Sequence, residues 1–330
     1  MDHVRLGRTG LWVSKACLGT MTFGYQCDED ASFAILDRAA ELGVTFLDTA
    51  DIYPVGGSWE LAGRTEEIVG AWLQGRRDEY VVATKCFFPM GRRRWQGGNS
   101  RKHVLEAIDA SLRRLRTDYV DLYQLHWYDT DTPVDETLGA LDDIVQSGKA
   151  RYIGVSNWLA YQLARALGRS EVLRVARFDS VQPRYSLLFR EIERELLPLC
   201  AEEGVGVIPY NPLAGGLLTG KHRRETGPTE GTRFTLGTSA DRYQDRYWHD
   251  REFDSVAALQ QVAVEAGMSL TRLAVAWVAA HPVVTAPILG ASRPEQLDES
   301  IAGATTVLDA EVKTRLDELT AEYRRGDAAR

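Results

Sequence analysis

The sequence holds four cysteines, Cys17, Cys27, Cys86 and Cys200, and no two stand in a C-x-x-C pair. That excludes a disulfide frame and a zinc ribbon and leaves reduced thiols. The six histidines are scattered without ligand spacing, so no metal is expected. An excess of positive charge is also missing: 39 Lys and Arg stand against 47 Asp and Glu, for a net charge of −8. A surface that binds nucleic-acid phosphates needs the opposite balance. No apolar run approaches membrane-spanning length, and "MDHVRLGRTG" lacks an apolar secretory core. The expectation is a cytoplasmic, soluble protein with no membrane and no nucleic-acid partner. No low-complexity linker divides the chain, so 1–330 reads as a single domain. No G-x-G-x-x-G follows an early strand, which argues against a doubly wound dinucleotide-binding sheet.

What is present is a repeating unit. "HVRLGRTGLWVSK" alternates apolar and polar residues around two glycines and predicts a β-hairpin. Eight short apolar runs follow: 16–21, 45–50, 80–85, 120–126, 151–157, 178–182, 204–211 and 284–290. Helical periodicity fills the gaps. "DASFAILDRAAELG" stops at Gly43, "SRKHVLEAIDASLRRLR" starts at a Ser100 cap, and "TPVDETLGALDDIVQSG" closes at Gly148. Strand and helix alternating eight times predict an α/β fold, a (β/α)8 TIM barrel, with the N-terminal hairpin covering one mouth. Two segments lack the pattern, 87–99 and 222–250, and both fall where loops of the catalytic face belong.

A barrel carries its chemistry at the C-terminal ends of its strands. Asp48 and Tyr53 follow the second run, Lys85 ends the third and His126 ends the fourth. Singly, each has an ordinary reading as a cap, a packed ring or a solvated charge. At consecutive exits they suit protonation of an oxyanion. A nearby ammonium should lower the pKa of the phenol, a carboxylate should hold the ammonium, and an imidazole can orient a carbonyl oxygen. The group has no Ser or Cys nucleophile. Carbonyl reduction needs such an acid plus a hydride donor from outside the protein.

In order and spacing, "FLDTADIY", "ATK", "YVDLYQLHW", "IGVSNW", "VQPRYSLL", "PYNPLAGGLLTGK" and "ILGASRPEQLDES" resemble the aldo-keto reductase family from end to end. The resemblance implies a catalytic tetrad of Asp48, Tyr53, Lys85 and His126, with Tyr53 as general acid, and NADP(H) bound in extended form. It implies Ser156, Asn157 and Gln182 at the nicotinamide carboxamide and Tyr210 against the nicotinamide ring. Thr20 and Met21, beside Asp48, would approach the dinucleotide. Asn211 to Lys221, with Leu213 and Gly215, would wrap the pyrophosphate. Gly290 precedes a helix start where Ser292 and Arg293 suit the extra phosphate of NADP. Gln296 and Glu299 fit the family's adenine contacts, and Ser300 stands where the family usually has Asn. Arg233 is a further candidate clamp. "GGLLTGKH" matches a phosphate-loop pattern but has His222 where a nucleotide triphosphatase needs Ser or Thr.

The partner expected is a small-molecule carbonyl substrate, walled by Tyr25, Phe87, Trp95, Trp127 and Trp158. Arg92, Arg93 and Arg94 add positive charge to a catalytic-face loop and suit a phosphate-bearing or nucleotide-activated keto-sugar. Two other readings stay open: an interaction module like the potassium-channel β-subunits, and an NAD-linked alcohol dehydrogenase. The sequence carries no signal for oligomeric state.

Overall fold

The computed structural model describes residues 1–327. The chain opens with the antiparallel hairpin β1 (His3–Arg5) and β2 (Trp12–Ser14). Strand and helix then alternate: β3 (Cys17–Gly19), α1 (Glu29–Glu41), β4 (Phe46–Asp48), α2 (Arg64–Trp72), β5 (Val81–Cys86), α3 (Arg101–Leu115) and β6 (Val120–Leu125). Next come α4 (Val134–Gln146), β7 (Ala150–Ser156), α5 (Ala160–Leu173), β8 (Ser180–Gln182), α6 (Leu196–Glu203) and β9 (Gly206–Val207). The last stretch runs α7 (Ala240–Tyr247), α8 (Asp250–Glu265), α9 (Leu270–Ala279), β10 (Ile288–Leu289), α10 (Gln296–Thr305) and α11 (Ala310–Leu319).

Strands β3 to β9 pair in sequence order, all parallel, and β10 pairs with β3. A parallel bridge between Val207 and Val284 brings the two ends of that sheet together. Thr285 N donates to Val207 O at 2.8 Å and Ile288 N to Pro209 O at 2.8 Å, which closes the ring. The expected barrel is therefore present.

Side chains alternate across each strand, so positions two apart share the barrel interior. Cys17, Phe46, Ala83, Leu122 and Ile208 form an apolar layer with Leu6 and Val13 of the hairpin region. The hairpin thus plugs the N-terminal mouth. Gly7 makes this approach possible: it sits at φ 55°, and a Cβ there would lie 2.4 Å from Gly204 O. Two residues further along the strands the interior turns polar, with Asp48, Lys85, Gln124 and Gln182 all buried.

The elements differ from the sequence reading in three places. The seventh and eighth strands are only two residues each, because Pro209 and Pro287 interrupt their runs and lack a ladder N–H. Segment 222–250, read as irregular, contains α7. Helix α9 is apolar on nearly all sides, so its period was invisible, and it is buried against α10 where Gly303 permits close approach. All four cysteines are free and buried. Among the described residues no single helix is long and apolar enough to cross a membrane.

Candidate active site

Asp48 ends β4, Lys85 lies in β5, and Tyr53 stands in the loop after β4. Lys85 is fully buried, and its Nζ donates to Asp48 Oδ1 at 2.5 Å, to Thr49 O at 2.8 Å and to Tyr53 OH at 3.3 Å. Burial alone would favour the neutral amine, but Asp48 and Tyr53 outweigh it and hold the ammonium above its ordinary pKa. The other carboxylate oxygen of Asp48 accepts from Gln182 Nε2 at 2.8 Å and Gln124 Nε2 at 3.1 Å. The second acid of the opening stretch, Asp51, is also fully buried. Its carboxyl is pushed well up by burial and by Glu66.

The phenol does not behave as the sequence suggested. Tyr53 is 7 % exposed, and its pKa moves up, not down: burial outweighs the pull of Lys85. The ammonium only limits that rise. His126, half-buried just past β6, sits edge-on to Tyr53 with ring centroids 5.8 Å apart. Burial and then the Lys85 charge hold its pKa well below the ordinary value, so the imidazole is neutral. Its Nδ1 is buried without a hydrogen-bond partner. A buried phenol kept protonated next to an ammonium, with a neutral imidazole alongside, can donate two hydrogen bonds to one oxygen atom.

The residues expected at a carboxamide form one row across β7, β8 and the β9 exit. Ser156 Oγ donates to Gln182 O at 2.9 Å. Asn157, at φ 60°, donates to His126 O at 3.1 Å and accepts from Tyr210 OH at 2.7 Å. Thr20 is buried with its hydroxyl on Asp48 O at 2.9 Å, and Met21 is half-buried next to it.

Asn211 accepts from Gly215 N at 2.7 Å and donates to Tyr247 OH at 2.8 Å. This fixes a loop through Leu213 in which Gly215 and Gly216 both take positive φ, 70° and 102°. Lys221 is exposed, and partial burial followed by the Arg293 charge lowers its pKa. Arg233 has a buried guanidinium nitrogen without a partner. Cys27 ties this region together: its thiol reaches Ser292 O at 3.7 Å and feels the Arg233 charge. Cations that, among the described residues, have no carboxylate partner, set beside bare glycine backbone, fit a phosphate-bearing dinucleotide.

At the next helix, Gln296 Oε1 accepts from Ser292 N at 2.9 Å, and Gly290 is exposed at the β10 exit. Two adenine candidates are engaged elsewhere. Glu299 accepts from Ser269, and buried Ser300 turns back onto Gln296 O and Leu297 O of its own helix. His222, after the phosphate-loop look-alike, is buried against Phe234 and Trp248 and depressed to about 4 by burial and Lys221.

Around the open end Tyr25, Trp95 and Trp127 are exposed, and Phe87 is half-buried against Phe88. Trp158, expected on the substrate wall, is only 4 % exposed and packs edge-on against Tyr128 and Phe178. Three further residues, not marked out by the sequence pattern, stand near these groups. Phe88 stands edge-on to His126 at 5.0 Å, and exposed Trp59 donates to Pro89 O at 3.4 Å. Gln124 was legible in principle, since it lies two residues before His126 and so shares its inward face.

A parallel barrel with a buried carboxylate, ammonium and phenol at its C-terminal end defines an enzyme-like acid site without a covalent nucleophile. Residues 15–321 match the model of the aldo/keto reductase family. The chain is 39 % identical to the uncharacterized oxidoreductase YrpG of Bacillus subtilis, over 97 % of this chain and 96 % of that protein. It is 36 % identical to a probable voltage-gated potassium channel subunit beta of Arabidopsis thaliana, over 93 % and 92 % of the two chains. It is 34 % identical to versiconal hemiacetal acetate reductase of Aspergillus parasiticus, over 96 % of each. The chain belongs to the aldo/keto reductase family, oxidoreductases that generally carry out NAD(P)H-dependent carbonyl reduction.

Proposed function

We propose that this protein reduces an aldehyde or ketone to an alcohol, with NADPH as hydride donor and Tyr53 as the acid. The observation that carries the reading is the buried Asp48, Lys85 and Tyr53 chain beside a neutral His126. Ser156, Asn157 and Gln182 would hold the carboxamide of the dinucleotide, and Tyr210 its ring. Asn211, Leu213, Gly215, Lys221, Arg233, Ser292 and Arg293 would meet its phosphates. When bound, the dinucleotide supplies the hydride. The chain supplies the proton and the charge stabilisation. Tyr53 O–H and a neutral His126 N–H donate to the carbonyl oxygen, and the phenolic proton moves to that oxygen as negative charge builds. An alkoxide is a far stronger base than a phenolate, so transfer stays downhill even from a phenol raised by burial. Lys85 then faces the phenolate left behind and stabilises it.

NADP is favoured over NAD by the neighbouring cations Lys221 and Arg293, the charge of Arg293 being felt at Lys221. For the substrate, Arg92, Arg93 and Arg94 are exposed in the loop after β5, with Arg93 5.3 Å from the Trp95 ring centroid. They favour a carbonyl compound with a phosphate-bearing tail, such as a nucleotide-activated keto-sugar. Tyr53→Phe tests the core of the reading. NADPH binding should survive while reduction of a reactive nitrobenzaldehyde falls by about 10²–10⁴-fold; unchanged turnover would remove Tyr53 as the acid. The likeness to a channel subunit favours a second reading, a dinucleotide-binding interaction module. That reading predicts wild-type protein that binds NADPH but does not oxidise it whichever aldehyde is offered.

A further inference from the structure

We propose that Gln124 is a positioning residue that couples the acid chain to the acceptor for the dinucleotide's carboxamide. The inference rests on the reductase reading. Gln124 is fully buried in β6, and it touches both Asp48 and Gln182. An ionised carboxylate only accepts hydrogen bonds, so the amide nitrogens of Gln124 and Gln182 must both face Asp48 Oδ2, at 3.1 Å and 2.8 Å. Gln182 Nε2 also reaches Gln124 Oε1 at 3.3 Å. That contact locks the amide of Gln182 in one orientation and leaves its own Oε1 turned away from Asp48, as an acceptor for an incoming N–H. Lys85 on the other carboxylate oxygen completes the set of donors that fixes the plane of Asp48. One side chain thus holds the partner of Lys85 and presets the amide that would receive the cofactor. Register makes this possible: Lys85 pairs with Gln124 and Ser156 with Gln182 across neighbouring strands.

The test uses the full chain carrying Gln124→Leu or Gln124→Glu, with wild type alongside. For Q124L, the Kd for NADPH should rise roughly 10-fold while the Kd for the adenine-side fragment of NADP, which lacks the nicotinamide, stays put; kcat/KM should fall roughly 10–100-fold. General loosening of the structure would weaken both ligands equally and would overturn the proposal. Q124E places a second carboxylate against Asp48, and like charges in a buried site must share a proton. Its turnover should therefore recover relative to wild type as pH falls and the added carboxyl becomes a donor again. A Q124E profile parallel to wild type would overturn the proposal, and this arm stands even if Q124L does not fold. A wild type that binds NADPH but reduces no carbonyl would remove the reductase reading alone, while the two-ligand comparison would still decide the role of Gln124.

Discussion

Asp179 precedes β8 by one residue and is pushed up to about 6, by burial first, against Arg177 and Arg8. A carboxyl raised on folding binds more protons in the native state than in the unfolded one. Its favourable contribution is therefore present below the ordinary value of 3.8 and is lost as pH rises to about 6. Asp179→Asn keeps the shape and cannot ionise. It should raise stability above that window by roughly 3 kcal/mol, with the gain vanishing as pH is lowered toward the ordinary carboxylate value. Urea denaturation at acidic and neutral pH reads this; a gain equal at both would contradict it. The same force explains what sequence could not show about Tyr53. Its neighbour Lys85 was legible from strand-exit positions, but the depth of burial that reverses the direction of the shift depends on packing from distant elements. The burial of Trp158 is hidden for the same reason, since its position just past a strand exit does not reveal the Tyr128 and Phe178 rings packed against it.

Among the elements, the hairpin and the barrel floor form one apolar unit at the end away from the chemistry. Leu6 is 0 % exposed there, packed with Phe46, Leu122 and Ile208. Leu6→Ala should cost about 2–5 kcal/mol of stability and leave kcat and KM unchanged, because the floor supports the barrel without touching the reacting groups. Guanidinium unfolding with steady-state kinetics checks both halves, and a lost kcat with intact stability would refute the separation. The strand–helix alternation was legible because each unit carries its own period and caps, as Ser100 does by accepting from His103 N. Strand lengths were not, since ladders at β9 and β10 end where prolines withhold donors. Helix α7 was hidden by a strongly polar sequence; it is held through Tyr243 and Tyr247, both buried.

At the scale of the whole molecule, a chain of net charge −8 gathers Arg92, Arg93, Arg94, Lys221, Arg233 and Arg293 on the loops of one face. Such a concentration draws anions toward the mouth and weakens as salt screens it. For a phosphorylated carbonyl substrate, kcat/KM should fall as ionic strength rises, while a neutral analogue stays level. Replacing Arg92, Arg93 and Arg94 by Ala should remove roughly a 10-fold preference for the charged compound; identical values before and after would discard the phosphate-tail reading. The ring closure has a consequence for synthesis. The first barrel strand waits for β10 as its neighbour, so its edge stays unsatisfied until the ribosome has released residues up to Leu289. Nascent chains of this protein carry an open parallel edge, with its backbone donors and acceptors unpaired, through most of their translation, and a stop codon ahead of β10 would leave that edge without its neighbour.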